Sequence, residues 1–409
     1  MVPKGWTLLQ VSDICKLQNG NSFKPHEWDT QGLPIIRIQN LNGSDNYNYF
    51  SGVPQDKWLV EPGQLLFSWA GTKGVSFGPF IWNGPKGVLN QHIYKVFANE
   101  NVHGHWLYLA LLHITQKIEA QAHGFKSTLL HVQKKDIDNQ FVLTPPVAEQ
   151  KKIAQILSTW DNAISVTEKL LTNSQQQKKA LMQQLLTGKK RLLDENGVRF
   201  SGEWEYTIFG NLGDTYTGLT GKTKEDFGAG KPYIPYINIF KNSRIDIQNL
   251  EYVQVNDDER QSVVKYGDIF FTTSSETPEE VGMSSVLLEE VSEVFLNSFC
   301  FGFRLNNFET LIPKYARYLF RSEHVRRQIS TLGQGVTRYN LSKRQLIKLE
   351  LKLPCVEEQQ KIAAVLSAAD AEISTLEKKL TCLRDEKKAL MQQLLTGKRR
   401  VKVDEAVAE

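Results

Sequence analysis

The sequence predicts an α+β protein in which two globular domains alternate with two long helices that pair as an antiparallel coiled coil with internal pseudo-two-fold symmetry. Three observations lead to this prediction. Residues 178–189, KKALMQQLLTGK, recur unchanged at 387–398. The repeat ends two helical patterns, 149–189 and 358–398, which lie in register at an offset of 209 residues. The rest of the chain forms two larger blocks that share short motifs but have otherwise diverged.

Length and composition set the first limits. A chain of 409 residues is longer than is usual for a domain with a single hydrophobic core, so at least two domains are expected. Its four cysteines, Cys15, Cys300, Cys355 and Cys382, include no CxxC pair, which predicts reduced thiols and neither disulfides nor a zinc site. No signal sequence or membrane-length apolar run is recognisable, so a cytoplasmic protein is expected. The net charge of +4 permits nucleic-acid binding without requiring it.

The long helices are predicted from apolar residues spaced by alternating steps of three and four, which form a heptad seam. The second helix keeps this seam with one polar break, at Lys387. The first helix is interrupted at Thr167, Ser174 and Lys178, so it is the weaker coiled-coil candidate alone. Each helix therefore offers the seam that the other one needs, and the two are expected to pack together.

Local signals bound the helices at residues 146–190 and 354–400, followed by a short tail at 401–409. Prolines stand just before each start and a glycine near each end, as is typical of helix termini. At about 40 residues, each helix would be about 60 Å long. Antiparallel pairing is favoured because it relates the two repeats by a two-fold axis and places the preceding domains at opposite ends. Parallel pairing would require the second domain to span back along the helices.

The globular blocks, named here the first head (residues 1–145) and the second head (residues 191–353, with a lead-in linker), are predicted to be divergent copies. Matched positions are Trp6 and Trp204, Gly20 and Gly218, Pro34 and Pro232, Asn40 and Asn238, Gly63 and Gly267, Gly124 and Gly333, and Thr128 and Thr337. The offset rises from 198 to 209 residues, so the length differences are expected in loops. Short β-rich runs predict strands, with a helix near 103–121 and another near 312–330.

Basic residues close both repeats. Lys189, Lys190 and Arg191 end the first, and residues 398–400 end the second. Such residues suit the negative end of a helix dipole, and they also suit contact with phosphate groups. The sequence leaves both interpretations open.

No motif for catalysis is recognisable. Residues 221–223, GKT, resemble the end of a phosphate-binding loop, but Tyr216 stands where the first glycine is required. Residues 144–147, TPPV, lack the polar first and aromatic last residues of an amino-methyltransferase motif. His103 and His105 have no accompanying metal ligands in the sequence. The chain is therefore expected to be non-catalytic, with no cofactor or metal of its own.

Two matching segments resemble a known family. They are PPVAEQKKI at 145–153, followed by Leu157 and Asp161, and PCVEEQQKI at 354–362, followed by Leu366 and Asp370. Both resemble the start of the conserved helices in specificity subunits of type I restriction-modification enzymes. The ALMQQLLTGK endings, the opening Gly5-Trp6 and the glycine turns at Gly63 and Gly267 are similar to that family too. The resemblance extends nearly end to end and departs at Cys355, where a second proline is more typical.

The resemblance implies a non-catalytic subunit that reads double-stranded DNA. Its two heads would be target-recognition domains, each reading one half of an asymmetric bipartite site. The helices would set the spacer and dock two methylation subunits, which bind S-adenosylmethionine and methylate adenine. Up to two restriction-translocation subunits, which use ATP and Mg²⁺, would complete the enzyme.

Base readers and phosphate contacts are expected among polar, aromatic and basic residues on loops near the shared glycines. The first head offers Asn21, Lys24, Arg37, Gln39, Asn40, Ser68, Trp69, Lys73, Lys126, Ser127 and Thr128. The second head offers Thr220, Lys222, Asn238, Lys241, Thr273, Ser274, Gln334, Thr337, Arg338 and Tyr339. On the helices, Trp160, Leu170 and Leu186 are candidates for partner contact, although Trp160 also fits the seam.

A second function class stays open at this point. A coiled-coil scaffold with two protein-binding heads would show the same periodicity, and salt-sensitive binding to duplex DNA would separate it from a DNA reader. A self-contained nuclease-methylase is disfavoured because the required motifs are missing.

Overall fold

A computed structural model describes residues 2–121, 129–335 and 337–403. It contains two compact units, of which the first comprises residues 1–168 and 379–409 and the second comprises residues 169–378. Both divisions fall inside long helices and not at the ends of the heads. Each unit therefore consists of one head and half of each long helix. No helix among the described residues has the length and apolar character needed to span a membrane.

The first unit contains a four-stranded antiparallel sheet in the order β2-β10-β6-β8 and a mixed sheet in the order β4-β3-β9-β5. Its strands are β1 (Thr7–Gln10), β2 (Cys15–Asn19), β3 (Leu33–Ile36), β4 (Asn48–Phe50), β5 (Leu59–Val60), β6 (Leu65–Ser68), β7 (Ala70–Thr72), β8 (Gly78–Ile81), β9 (Gly87–Leu89), β10 (Ile93–Ala98), β11 (Leu129–His131) and β12 (Phe141–Thr144). Its helices are α1 (Val11–Ile14), α2 (Ile38–Leu41), α3 (Gly104–Gln121), α4 (Lys134–Asp138) and the start of α5, the first long helix (Val147–Leu185).

The second unit repeats this arrangement with a four-stranded sheet in the order β14-β21-β17-β19 and a smaller mixed sheet, β16-β15-β20. Its strands are β13 (Glu205–Ile208), β14 (Gly213–Thr217), β15 (Phe227–Ile234), β16 (Glu251–Val253), β17 (Ile269–Thr272), β18 (Ser274–Ser275), β19 (Ser284–Val286), β20 (Phe295–Leu296), β21 (Cys300–Leu305), β22 (Tyr339–Asn340) and β23 (Glu350–Leu353). Its helices are α6 (Tyr236–Lys241), α7 (Pro313–Leu319), α8 (Glu323–Thr331), α9 (Lys343–Leu346) and the start of α10, the second long helix (Val356–Leu395). The predicted divergent repeat is thus present in the sheets.

The matched glycine turns lead into equivalent central strands. Gly63 precedes β6 at a φ of +89°, and Gly267 precedes β17 at a φ of +86°. Side-chain-bearing residues rarely adopt this left-handed region, which explains why glycine stands at both positions. One predicted helix differs from the structure. The segment near 312–330 forms α7 and α8, because the Ser322 side chain accepts a hydrogen bond from the backbone N–H of Val325 and caps a new helix.

The largest hydrophobic core of each unit joins its head to both long helices. In the first unit, Ile153 and Leu157 near the start of the first long helix share a core with Leu394 near the end of the second. In the second unit, Leu366 near the start of the second long helix shares a core with Leu186, just beyond the end of the first. The start of one helix therefore packs with the end of the other, which confirms the predicted antiparallel pairing. Leu186 is buried in this core, so its predicted role in partner contact is wrong.

The polar residues that interrupt the heptad pattern have partners on the helices. Lys178 forms an ion pair with Asp370 at 2.5 Å, and Lys387 forms the equivalent pair with Asp161. Ser174 donates a hydrogen bond to Glu372 at 3.0 Å, and the Thr167 hydroxyl bonds to a carbonyl of its own helix. Because these groups are satisfied, the interruptions are compatible with packed helices.

Candidate nucleic-acid interface

A buried carboxylate fastens the second head to the second long helix. The Glu358 side chain has no exposed surface and accepts two hydrogen bonds from Arg191, at 2.6 and 2.7 Å. It also accepts a bond from the indole N–H of Trp204 at 3.2 Å. These bonds to Glu358 raise the pKa of Arg191 and keep it charged. We call this three-residue arrangement the carboxylate clamp.

The first unit contains the same clamp. Glu149 accepts bonds from Arg400, at 3.0 and 2.5 Å, and from the indole N–H of Trp6 at 3.2 Å. Hydrogen bonding to Glu149 likewise raises the pKa of Arg400. The two arginines that end the repeats thus bind carboxylates and are not free for phosphate contact. The other basic residues of these two clusters, Lys189, Lys190, Lys398 and Arg399, are exposed.

The glutamine after each clamp glutamate fixes the backbone between head and helix. Gln150 donates to the carbonyls of Pro145 and Asn101 and accepts from the backbone N–H of His103. Gln359 makes the equivalent bonds with the carbonyls of Pro354 and Thr310 and the backbone N–H of Ile312. The Glu-Gln pairs in both family-like segments therefore set how each head joins its helix.

Three neighbouring segments of the first head form a platform of loops and short strands. The backbone N–H of Trp69 donates to the carbonyl of His92 at 3.3 Å, and the N–H of Val132 donates to the carbonyl of Trp69 at 3.0 Å. Strand β7 pairs with β11, placing Ala70 opposite His131. We call this group of segments, at residues 69–72, 90–92 and 129–132, the first platform.

Aromatic side chains cover the first platform. The Trp69 ring lies 5.1 Å from the rings of both His92 and His131, and its indole N–H donates to the carbonyl of Gln91 at 3.1 Å. Burial lowers the pKa of His92, and nearby His131 lowers it further, so His92 is held neutral near pH 7. The half-buried Trp69 thus presents a rigid aromatic surface.

The second head builds the same platform from different side chains. Thr273 donates its backbone N–H and its hydroxyl to the carbonyl of Phe299, at 3.0 and 2.7 Å, and its own carbonyl accepts from the N–H of Leu341. Strand β18 pairs with β22, placing Ser274 opposite Asn340. These segments, residues 273–275, 297–299 and 339–341, are the second platform. The backbone bonds correspond one for one with those of the first platform.

Further predicted residues surround the platforms. Asn21 forms a bridge with Asn90, and the N–H of Asn90 donates to the carbonyl of Ile36, beside Arg37. In the second head, Gln334 and Asn340 exchange backbone hydrogen bonds and close a loop that carries Thr337 and Arg338. The structure therefore brings Asn21, Arg37 and Trp69 into one region. It likewise brings Thr273, Ser274, Gln334, Thr337, Arg338 and Tyr339 into one region of the second head.

The predicted residues differ in exposure. Exposed residues are Lys24, Gln39, Thr220, Lys241, Gln334, Thr337 and Arg338. Half-buried residues are Asn21, Arg37, Trp69, Lys73, Lys222, Thr273, Ser274 and Tyr339. Lys126, Ser127 and Thr128 lie outside the described residues. The exposed and half-buried residues stay candidates for DNA contact.

Two matched asparagines among the predicted residues are buried and hold loops together. Asn40 accepts from the N–H of Arg37 at 2.9 Å and donates to the carbonyls of Ser44 and Asn46. Asn238 makes the corresponding bonds with the backbone of Asp246 and Asn249. In this structure neither side chain is presented to solvent, so we withdraw both from the set of candidate base readers. They were selected because both heads share them, and the structure explains the sharing by a common turn.

Two other predicted residues also bond within their heads. The Ser68 side chain is fully buried and donates to the carbonyl of Ala70 at 2.7 Å, so we withdraw it too. Lys222 forms a salt bridge with Glu259 at 2.6 Å, and only 6% of its side chain is exposed. The hydrogen bond from Lys222, helped by Gln261, lowers the pKa of Glu259 to about 2, so the carboxylate stays ionised. The charge of Lys222 is therefore already neutralised.

Sequence reasoning did not select four platform residues, His92, His131, Phe299 and Asn340. The sequence did contain a signal for two of them, because the repeat offset of 209 residues relates His131 to Asn340. The described residues contain no group of three or more potential metal ligands. His105 instead lies within hydrogen-bond distance of Ser158, at 3.1 Å.

Comparison with known proteins identifies the family. A family model described as "Type I restriction modification DNA specificity domain" matches residues 3–173 and 202–382. The MjaVIII specificity subunit of Methanocaldococcus jannaschii is 25% identical, and the alignment covers 98% of this chain and 94% of the relative. The EcoBI specificity subunit of Escherichia coli is 23% identical, with 92% of this chain and 81% of the relative covered.

Solved structures share the fold. The S subunit of a type I restriction-modification system from M. genitalium superposes with a TM-score of 0.55 at 16% identity, covering 96% of each chain. The HsdS subunit from Thermoanaerobacter tengcongensis gives a TM-score of 0.50 at 15% identity, covering 97% of this chain and 98% of that one. The family match supports DNA recognition over the protein-scaffold alternative. The chain belongs to the type I restriction-modification specificity subunits, which recognise DNA sequence and are non-catalytic.

Proposed function

We propose that each head reads one half of an asymmetric bipartite duplex site, with the platforms facing the DNA. The observation that carries this proposal is that the two platforms share their backbone bonds but differ in side chains. Trp69 corresponds to Thr273, His92 to Phe299, and His131 to Asn340. A common backbone with different polar and apolar groups suits the reading of different base edges. Identical platforms would instead suit a palindrome.

The partners follow from the same proposal. We propose that the long helices set the gap between the half-sites and dock two methylation subunits. Those subunits would supply S-adenosylmethionine binding and adenine methylation, and up to two restriction-translocation subunits would supply the ATP- and Mg²⁺-dependent steps. This chain contributes recognition and geometry. The exposed Leu170 on the first long helix stays a candidate for partner contact.

The test is co-expression with the methylation subunit in a host that lacks adenine methylation, followed by mapping of modified adenines at base resolution. The expected result is one motif with two unlike halves and a fixed gap. A stable complex that modifies nothing, or modifies a palindrome, would contradict the proposal.

Replacing Arg338 with alanine is expected to relax one position in only one half of the motif. Arg338 is exposed on the loop that Gln334 and Asn340 close, where a guanidinium can reach a guanine edge. Loss of such a contact costs about 1–3 kcal/mol of binding free energy. Binding of the assembled complex to single-base variants of the site measures this cost.

The matched control for Arg338 is Arg327→Ala, which removes the same charge from α8. Arg327 is paired with Glu323 one helical turn away and lies off the platform. Its replacement is expected to leave the motif unchanged. If Arg338→Ala weakens binding equally for every sequence and lowers the salt slope by about 1, Arg338 contacts a phosphate and does not read a base.

A further inference from the structure

Phe299 projects an unburied aromatic ring from the second platform. The residue is 62% exposed. Single exposed hydrophobic residues are common on protein surfaces, so exposure alone shows little. Phe299 is notable for its position, because its carbonyl accepts both the backbone N–H and the hydroxyl of Thr273, a predicted reader.

The backbone around this ring is fixed. The N–H of Phe299 donates to the side-chain oxygen of Asn297 at 2.8 Å, and the N–H of Asn297 donates to the carbonyl of Ile234. With Thr273 bonded to its carbonyl, Phe299 is held on both sides of its Cα. Such fixing of the backbone positions a side chain for contact at low entropic cost.

The ring itself is unpartnered, whereas two other exposed aromatic rings of this unit have partners. Phe308 packs against Tyr266 at 5.9 Å, and the Tyr206 ring lies 5.1 Å from the ammonium of Lys352. Among the described residues, no aromatic ring or cation lies against the ring of Phe299. The Phe299 ring is therefore available to contact a bound molecule.

The first head fills the same position differently. His92, the counterpart of Phe299, lies against the Trp69 indole, whereas Thr273, the counterpart of Trp69, carries no ring. The large aromatic group thus comes from the central segment in the first platform and from the neighbouring turn in the second. The two platforms therefore present their apolar surfaces at different positions on an equivalent backbone.

We infer that Phe299 reads the methyl group of a thymine in the half-site of the second head, an inference that rests on the proposed function. A phenyl ring has no hydrogen-bond donor or acceptor. The feature of a major-groove base edge that it can recognise is therefore the apolar thymine methyl. Phe299 is a specificity-determining residue for one A·T pair.

The test compares wild type, Phe299→Ala and Phe299→Leu, each assembled with the methylation subunit. Phe299→Ala is expected to relax one A·T position in one half of the motif and to lower binding to the cognate site by about 5- to 100-fold. Phe299→Leu keeps an apolar side chain and is expected to retain most discrimination. Replacing the recognised thymine by uracil removes the methyl group, so it should weaken wild type but not Phe299→Ala.

Tyr206→Ala is the matched control, because Tyr206 is 74% exposed in the same head but lies on β13, away from the platform. It should leave the motif unchanged. If wild type yields a bipartite motif and Phe299→Ala yields the same motif and affinity, this inference is overturned while the proposed function stands. Equal loss of binding to all duplexes also overturns it. If wild type yields no bipartite motif, the proposed function itself fails.

Discussion

Replacing Arg191 with alanine is expected to lower the free energy of unfolding of the second unit by about 3–5 kcal/mol. The change leaves the Glu358 carboxylate buried with only the indole N–H of Trp204 as a side-chain partner in the clamp. An uncompensated buried charge is among the most destabilising changes that a single substitution can make. Urea denaturation followed by circular dichroism measures the loss of stability. Hydrogen–deuterium exchange is expected to locate this loss in the core of the second unit.

Lys190→Ala provides the control, since it removes a neighbouring, exposed positive charge from the same motif. It should change stability by no more than about 0.5 kcal/mol. Arg400→Ala should fall between the two, because Arg400 is 40% exposed in its clamp whereas Arg191 is 20% exposed. Equal stabilities for the Arg191 and Lys190 variants would show that the clamp contributes nothing to folding.

Lengthening both long helices by seven residues, between residues 168 and 169 and between 378 and 379, is expected to abolish modification at the original gap. Seven residues preserve the heptad seam and add about 10.5 Å to a helix. This length corresponds to about three base pairs of duplex. If the helices set the gap, the two half-site sequences should persist and only their separation should change. Base-resolution mapping of methylated adenines measures both.

The control for this insertion replaces seven residues of each helix at the same point with the inserted sequence, which leaves the length unchanged. This variant should modify the original motif. Continued modification at the original gap by the lengthened chain would show that something other than the helices sets the spacing.

The long helices were predictable because their determinants are local. Heptad spacing and terminal prolines and glycines gave 146–190 and 354–400, and the structure has Val147–Leu185 and Val356–Leu395. The residues that pair with the polar interruptions of the heptad pattern were harder to predict. Lys178 meets Asp370 only when two distant segments pack, so no property of either sequence alone identifies the ion pair.

The reading residues were harder to predict for a physical reason. Positions matched between the heads, such as Asn40 and Asn238, are shared because both heads need the same turn. Residues that distinguish two half-sites should instead differ between the heads, as His92 and Phe299 do. A search for shared polar residues therefore selects those that build the fold. The more informative pattern is a different side chain on an equivalent backbone position, which becomes visible only after the strands are paired.

The arrangement of the units has a consequence for synthesis on the ribosome. The second unit is one continuous stretch, residues 169–378, whereas the first unit needs residues from both ends of the chain. Arg400 binds Glu149 in the carboxylate clamp of the first unit and also donates to the carbonyl of Lys4. Since domains fold as units while the chain emerges, the second unit can complete its core first. A nascent chain that ends near residue 378 would contain a complete second unit. Its first unit would still lack the C-terminal part of the second long helix.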